Sequence, residues 1–473
     1  MKPRIGLFAG GIETYWKDTG MPGLQNKIND DAKRLADLLG VEFEVVFPGL
    51  AENAEDCVRI GKELRDQNVD LVVMYHATYV DDSMTLALIH ELGSIFTVLL
   101  QSQGLKTFVG NEDLVEAGRT WGNNSSVQLH GTLKRTRPDY RYGFVFGSLD
   151  NPRVLKEISD YARAAAAVNA LRDKLVTFLP HRSLAVPMFD TFPDETKMIG
   201  QTGIRTSYLG IIDLVKEMEA VQDSDNDALV AELYDTYEVV EPSREEMVLA
   251  ARQAIALERL VEDHCIDALA VEFAASMMTH TGTLPCLGMA RLIDKGTVVT
   301  SEGDLSVAVA GLLVKELSGK PIHFWEHLGF DEAEDYILGG HEGGSAGFSM
   351  AKKGTRPKLR GTQYVNYDAI PGAPHVGVLP EFITNPGPAT LVTFFRANDG
   401  YEMRIASGES VDMDPLPVQY EHTVFKPATP LVSYFQQIRE LGVCHHFALV
   451  NADLASELTK VAEVLGMSVG SLT

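Results

Sequence analysis

Cysteine is scarce in this chain of 473 residues, which has four, and no two of them form a C-x-x-C pair. We therefore expect reduced, structural thiols and neither a disulfide scaffold nor a zinc site of the C-x-x-C type. Long apolar runs are also missing. No stretch reaches the roughly 18 residues that a membrane-spanning helix needs, and the first residues lack a secretory signal pattern. These absences predict a cytoplasmic protein.

Positive charge is in deficit, because 41 Lys and Arg stand against 66 Asp and Glu, for a formal net charge of −25. A chain of that charge repels phosphate backbones, so we expect no nucleic-acid partner. Internal repeats and low-complexity tracts are absent as well. The composition indicates a protein that handles small molecules, and its length suggests about three domains.

The first third of the chain alternates short apolar runs with helical patterns. Strand patterns cover residues 5–9, 43–47, 69–75, 106–109 and 142–146, and helical patterns cover residues 26–39, 54–67 and 83–103. Strands that alternate with helices imply parallel β-α units, so we predict a doubly wound α/β domain over residues 1–165. The turn Ala9-Gly10-Gly11 lacks the full G-x-G-x-x-G text of a nucleotide site.

A second α/β domain is predicted for residues 166–320, where helical patterns again flank apolar runs. Beyond it the composition changes to glycine, proline and β-forming residues. The runs 390–396 and 401–406 alternate in polarity and are joined through Asn398-Asp399-Gly400, which is a hairpin signal. We therefore predict a β-rich, antiparallel, barrel-like C-terminal domain over residues 321–473.

Four residues in the second half form a candidate site for a divalent metal: Glu302, Glu326, His341 and His446. Carboxylates with neutral imidazoles suit Mn²⁺, Zn²⁺ or Fe²⁺ better than Ca²⁺ or a thiolate-preferring ion. Their spacing alone is weak evidence, because the four are far apart in the chain.

The text around these residues is more specific than their number. In order, it contains Glu302-Gly303-Asp304, a single Glu, Leu338-Gly339-Gly340-His341 and the pair His445-His446. This order resembles the L-arabinose isomerase family and, more distantly, the L-fucose isomerases. Further matches are residues 287–292, 384–389, 75–76 and 123–131.

The resemblance implies a metal-dependent aldose–ketose isomerase that converts L-arabinose to L-ribulose, or a related pentose or 6-deoxyhexose, through an enediolate. Glu302 and Glu326 would be metal ligands and the acid–base pair, His341 and His446 would complete the shell, and Mn²⁺ would be the metal. Alternatives to these roles stay open. Glu302 could instead complement the helix that follows it. His327, Asp331 or Glu332 could replace Glu326. Strand alternation lets only one of His445 and His446 face a given side, and the family pattern favours His446.

The resemblance also implies substrate-binding residues in the first domain. His76 ends an apolar strand, where doubly wound sheets bind ligands. Gln128 and His130 match a segment that reaches the active site of a neighbouring subunit, which implies a homo-oligomer, a trimer or a hexamer. Glu13 and Tyr15 stand where a Gln-x-x-Tyr contact is expected, and this departure leaves the sugar open. The rival functions are a sugar-binding protein without catalysis and a metal-dependent hydrolase or aldolase.

Overall fold

A computed structural model of the chain describes residues 2–107, 110, 113–180, 188–272, 275–341, 343–361 and 377–472. They group into two compact units, Met1–Asn169 with Thr459–Gly466, and Ala170–Leu458 with Met467–Thr473. Among the described helices, none has both the length and the apolar character that a membrane span requires. The division into three domains at residues 165 and 320 stays a prediction.

The first unit is built on a parallel sheet with the strand order β2-β1-β4-β5-β6, and β3 pairs with the end of β1. Its strands are β1 (Arg4–Gly10), β2 (Glu44–Val46), β3 (Leu50–Ala51), β4 (Leu71–His76), β5 (Phe96–Gln101) and β6 (Gly143–Phe146). Its helices are α1 (Thr14–Lys17), α2 (Leu24–Gly40), α3 (Ala54–Asp66), α4 (Asp82–Leu92), α5 (Leu114–Gly118), α6 (Gly122–Thr136) and α7 (Pro152–Leu171).

Both faces of this sheet are covered, because alternate side chains of each strand enter different apolar clusters. In β1, Leu7 packs into one cluster and Phe8 into the other. In β4, Val73 and Val72 divide in the same way. Strands that are buried on both sides read as continuous apolar runs, and helices on both faces supply the partners. The predicted doubly wound domain is confirmed.

One predicted helix was wrong. The helix expected over residues 83–103 is the shorter α4 followed by β5. Gly93 ends the helix with a backbone φ of +64°, a conformation that glycine adopts without steric cost. The strand expected over residues 106–109 does not begin at Lys106 or Thr107, and its last two residues lie outside the described residues.

The second unit holds a parallel sheet and an antiparallel barrel. The first strands of the unit are β7 (Leu175–Leu179), β8 (Arg205–Tyr208), β9 (Glu238–Val239), β10 (Ala268–Val271) and β11 (Val298–Thr300). The helices α8 (Glu195–Thr202), α9 (Ile211–Ala220), α10 (Asp223–Thr236), α11 (Arg244–Asp263), α12 (Ala275–Thr281), α13 (Cys286–Asp294) and α14 (Leu305–Ser318) accompany them. The parallel sheet has the order β11-β10-β7-β8.

The remaining strands are β12 (His323–Asp331), β13 (Tyr336–Gly340), β14 (Lys358–Gly361), β15 (Val378–Ile383), β16 (Gly387–Arg396), β17 (Tyr401–Ser410), β18 (Glu421–Pro427), β19 (His446–Val450) and β20 (Val469–Ser471). A 3-10 turn (Phe348–Met350), α15 (Leu431–Leu441) and α16 (Ala455–Leu465) complete the chain. Six strands run β17-β16-β19-β12-β13-β18, and β18 pairs back with β17 to close an antiparallel barrel. The predicted barrel-like architecture and the hairpin between β16 and β17 are confirmed.

Candidate metal centre

Three neighbouring barrel strands, β19, β12 and β13, position three of the predicted ligands. In the central strand, Glu326 pairs with His446 on one side and with Gly340 on the other. His341 directly follows Gly340. Ligand atoms of Glu326, His341 and His446 all lie within 4.8 Å of one another. The strand register alone therefore brings these residues to one place.

The fourth predicted ligand, Glu302, comes from the loop between β11 and α14. Its Oε2 lies 3.6 Å from His446 Nε2, and its Oε1 lies 3.9 Å from His341 Nε2. Glu326 Oε2 lies 3.9 Å from the same His446 nitrogen. The structure thus brings all four predicted ligands together.

The backbone of the Glu302 loop is unusual. Glu302 has a φ of +58°, in the left-handed region that side-chain-bearing residues rarely adopt, and Gly303 follows at +65°. Asp304 then begins the helix, because its Oδ1 accepts the Val307 N–H at 3.0 Å. The N-terminal cap of α14 is therefore Asp304, and the Glu302 side chain lies against the histidines.

Asp304 has a second contact, which the sequence analysis missed. Its Oδ2 lies 3.0 Å from His446 Nδ1, and both side chains are almost fully buried. An ionised carboxylate only accepts, so Nδ1–H donates and Nε2 keeps its lone pair on the side of Glu302. An Asp before an apolar helical run signals a helix cap, but nothing in that local pattern points to a partner 142 residues away.

The alternatives to Glu326 lie elsewhere. His327 is bonded through Nε2 to the Tyr434 hydroxyl at 3.0 Å, and burial lowers the pKa of His327 to about 4. Asp331 accepts backbone hydrogen bonds within its own turn, and Glu332 is exposed. Of the four candidates, the structure places Glu326 beside His446.

The glycines around His341 have a packing reason. A Cβ on Gly339 would lie 2.0 Å from the Trp325 ring, and a Cβ on Gly340 would lie 2.4 Å from the Glu421 carbonyl oxygen. Gly343 and Gly344 have φ values of +74° and +77°. Side chains at Gly339 and Gly340 would therefore clash with their neighbours. At Gly343 and Gly344 the backbone conformation itself disfavours any residue with a side chain.

His445 also lies at this site. Ligand atoms of Glu302, His445 and His446 lie within 4.8 Å of one another. Two adjacent residues face opposite sides only if both belong to a strand. Here β19 begins at His446, so this expectation does not apply to His445. His445 Nδ1 is 2.6 Å from Asp190 Oδ2. Burial opposes protonation, but the hydrogen bond to Asp190 and the negative charges of Asp190, Glu326 and Asp304 together outweigh it and raise the pKa of His445. His445 remains an alternative ligand.

The substrate residues predicted in the first unit lie on several elements. His76 is buried at the end of β4, with Nδ1 2.9 Å from Ser125 Oγ and Nε2 3.3 Å from Thr85 Oγ1. Burial lowers the pKa of His76 to about 4. Both ring nitrogens of His76 therefore have partners within the unit, and its role toward a substrate stays a prediction.

The other predicted contacts are less buried. On α6, Gln128 accepts a hydrogen bond from the Tyr79 hydroxyl at 2.9 Å. His130, two residues later, lies 2.7 Å from the Tyr142 hydroxyl. Glu13 pairs with Lys17 at 2.7 Å. Near it, the Tyr15 ring lies edge-on to Trp121 and Tyr79, at centroid distances of 5.1 and 6.4 Å. Their roles toward a substrate stay predictions.

Comparison with known proteins agrees with this geometry. Residues 190–319 match the model of the L-arabinose isomerase central domain. An L-arabinose isomerase from Clavibacter sepedonicus is 25% identical over 485 aligned positions, which cover 96% of this chain and 91% of the relative. The chain is similar to the L-arabinose isomerases. A sulfoquinovose isomerase from Priestia aryabhattai is 20% identical over 353 positions, covering 74% of each chain. An L-arabinose isomerase from Bacillus subtilis is 29% identical over 232 positions, covering 46% of each.

The matched central domain of the L-arabinose isomerase family contains Glu302 and its neighbour Asp304, but it ends before β12. Glu326, His341 and His446 lie beyond it. Their place in the site therefore depends on the barrel register and on the distances to Glu302.

In this relative of the L-arabinose isomerases, the residues present fit a divalent cation. Glu302 Oε2 and His446 Nε2 are buried and have no hydrogen-bond partner in the described part of the chain. Buried polar atoms are otherwise nearly always paired. Burial also raises the pKa of Glu302 and of Glu326, so the fold alone does not favour their charged forms. A cation held by these oxygen and nitrogen atoms would resolve both features.

Proposed function

We propose that this chain is a metal-dependent aldose–ketose isomerase that acts on an open-chain sugar, such as L-arabinose, a related pentose or a 6-deoxyhexose. Similarity to known proteins supports a sugar isomerase, since relatives are named L-arabinose isomerase and sulfoquinovose isomerase. The observation that carries the proposal is the convergence of two partly buried carboxylates on two buried histidines. Mn²⁺ is the proposed metal, because mixed carboxylate and imidazole ligands suit it.

We assign the proton transfer to the two carboxylates. When bound, a divalent cation would supply positive charge to the sugar oxygens O1 and O2 as negative charge moves between them. Glu302 or Glu326 accepts the proton from C2 of the aldose and delivers it to C1, while the O2 hydroxyl loses a proton and O1 gains one. The product is a ketose of the same composition. Because burial raises the pKa of both carboxyl groups, they lie closer to neutral pH than a surface carboxylate.

The test compares metal-stripped protein with Mn²⁺-loaded protein on a panel of pentoses and 6-deoxyhexoses. Sulfoquinovose belongs in the panel, because relatives carry its name. In deuterated water, the loaded protein should form a ketose and exchange the C2 proton with solvent, and the stripped protein should do neither. Binding without turnover would favour a sugar-binding protein, and cleavage products would favour a hydrolase or an aldolase.

We also propose that the protein works as a homo-oligomer, a trimer or a hexamer, whose active site is shared between chains. The segment that holds Gln128 and His130 supports a shared site, because it resembles a segment of L-arabinose isomerases that reaches the active site of a neighbouring subunit. Apolar side chains beside it are exposed, with 61% of Val127, 43% of Phe144 and 57% of Phe146 accessible. A second copy of this chain would cover these side chains.

Subunit mixing tests the shared site. Inactive Glu302→Gln protein is mixed with inactive His130→Ala protein under conditions that exchange subunits. Some interfaces then pair an intact Glu302 with an intact His130, so partial activity should return. No recovery, despite proven exchange and an inactive His130→Ala parent, would mean that His130 serves its own chain or only the fold.

A further inference from the structure

A second buried carboxylate, Glu421, lies close to the segment that carries His341. Glu421 begins β18 and has no exposed surface. Its Oε1 accepts the Gly344 N–H at 2.9 Å, whereas its Oε2 has no hydrogen-bond partner among the described residues. The loop behind His341 is therefore tied to this side chain through the backbone of Gly344, a residue in the left-handed region, where backbone N–H groups often point at an anion.

The backbone of Glu421 contacts the other end of the same segment. Gly340 packs so closely on the Glu421 carbonyl oxygen that a Cβ there would lie 2.4 Å away. In the barrel, Gly340 pairs with His422, the next residue of β18. One residue thus fixes the backbone before His341 through its carbonyl and the backbone after it through its carboxylate.

The position of Glu421 is costly for the fold. Burial raises the pKa of Glu421 to about 8, and none of the ion pairs found among the described residues involves it. A carboxylate in an apolar setting needs hydrogen bonds to be retained. Here the hydrogen bond comes from the backbone of Gly344 in the loop behind His341, so the benefit that Glu421 provides is the conformation of that loop.

We propose that Glu421 is a positioning residue, which holds Gly340 and Gly344 on either side of His341 in one conformation and thereby aims His341 at the cation. The inference rests on the proposed metal role of His341. Residues around a metal ligand that fix its orientation typically affect metal affinity 10- to 100-fold. The Glu421 carboxylate would orient His341 indirectly, through its hydrogen bond to the main chain at Gly344.

The experiment measures Mn²⁺ affinity by calorimetric titration and thermal stability without metal. Glu421→Met should weaken Mn²⁺ binding by roughly 10- to 100-fold, because it removes the acceptor of the Gly344 N–H at a similar side-chain size. Glu381→Met is the matched control. Glu381 is also buried, on the adjacent strand β15, and its partner is Arg360 at 2.5 Å. This control should lose stability but keep the wild-type affinity for Mn²⁺.

A double-mutant cycle with His341→Ala shows whether Glu421 acts through that histidine. The combined variant should bind Mn²⁺ no more weakly than His341→Ala alone, because the ligand that Glu421 positions is already gone. Additive losses would overturn the inference, as would wild-type affinity in Glu421→Met. If Glu421→Met does not fold, Glu421→Asp replaces it in the same cycle. Absence of Mn²⁺ binding to the wild-type chain would instead reject the proposed function.

Discussion

Glu302 combines two unfavourable features, a left-handed backbone and a buried carboxylate. A left-handed residue with a side chain costs on the order of 1–3 kcal/mol and persists only where its surroundings enforce it. At Glu302 the φ of +58° turns the side chain toward His341 and His446, while Gly303 bonds back to the Val271 carbonyl at 3.1 Å. Strain and burial at one residue favour a functional reason over a structural one.

Glu302→Gln should therefore abolish turnover. The change removes a negative ligand and a proton acceptor together and leaves the size of the side chain unchanged. Losses of about 10²- to 10⁴-fold are usual for an acid–base group. The measurement is the initial rate in metal-saturated buffer, with the exposed Glu332→Gln as the control. A rate above about a tenth of the wild type would contradict the assigned role.

The two adjacent histidines should differ in their effect on metal content. His446 belongs to both possible ligand groups, whereas His445 belongs to one and is already bonded to Asp190. By elemental analysis, His446→Ala and His341→Ala should lower metal content, and His445→Ala should leave it nearly intact. A greater loss in His445→Ala than in His446→Ala would make His445 the ligand.

At the scale of elements, sequence patterns predicted the structure wherever the signal was local. The hairpin at Asn398-Asp399-Gly400 is present between β16 and β17. The apolar run of residues 83–103 was misread, because such a run fits a buried helix or a buried strand equally well. The Asp304–His446 contact was missed since no local pattern encodes a bond between a helix cap and a distant strand.

Asp304→Asn separates the two tasks of that residue. Asn caps helices as well as Asp, so the Val307 N–H keeps its acceptor and the stability of α14 should hardly change. An amide turned that way presents its NH₂ to His446 Nδ1, which favours a proton on Nε2 and blocks the ligand atom. We expect a roughly 10- to 100-fold weaker metal affinity by titration, at an unchanged melting temperature.

The matched control is Asp81→Asn, at the cap of α4, where Asp81 Oδ1 accepts the Met84 N–H at 3.0 Å. It should leave metal affinity unaltered. Equal losses in both variants would show that the effect of Asp304→Asn is a general one on the fold.

For the whole molecule, buried histidines predict a loss of stability in mild acid. Burial lowers the pKa of His76 and His327 to about 4 and that of His323 to about 3. Their ordinary value is 6.5, so below that pH the unfolded chain takes up protons that the folded chain refuses. The stabilisation is complete above pH 6.5 and is lost as the pH falls toward 4.

His76→Gln should flatten this dependence. For the His76 shift alone, about 2 kcal/mol of stability should disappear between pH 7 and pH 5. Urea unfolding at the two pH values measures it, and the exposed His264→Gln serves as the control. The difference between pH 7 and pH 5 should shrink in His76→Gln and persist in the control. An unchanged difference in both would show that His76 is not among the groups responsible.

Because Glu326 pairs with His446 and Gly340 through the main chain, the site should tolerate substitutions of neighbouring side chains but not insertions or deletions in its strands. The relative positions of these ligands are set by main-chain hydrogen bonds within a closed barrel, so substitutions of neighbouring side chains leave the ligand spacing intact. An insertion or deletion of one residue inside β12 would turn Glu326 to the other face of its strand. Chains that descend from this one can therefore exchange loops and change their substrate, but the lengths of β12, β13 and β19 up to the ligands must be inherited unchanged.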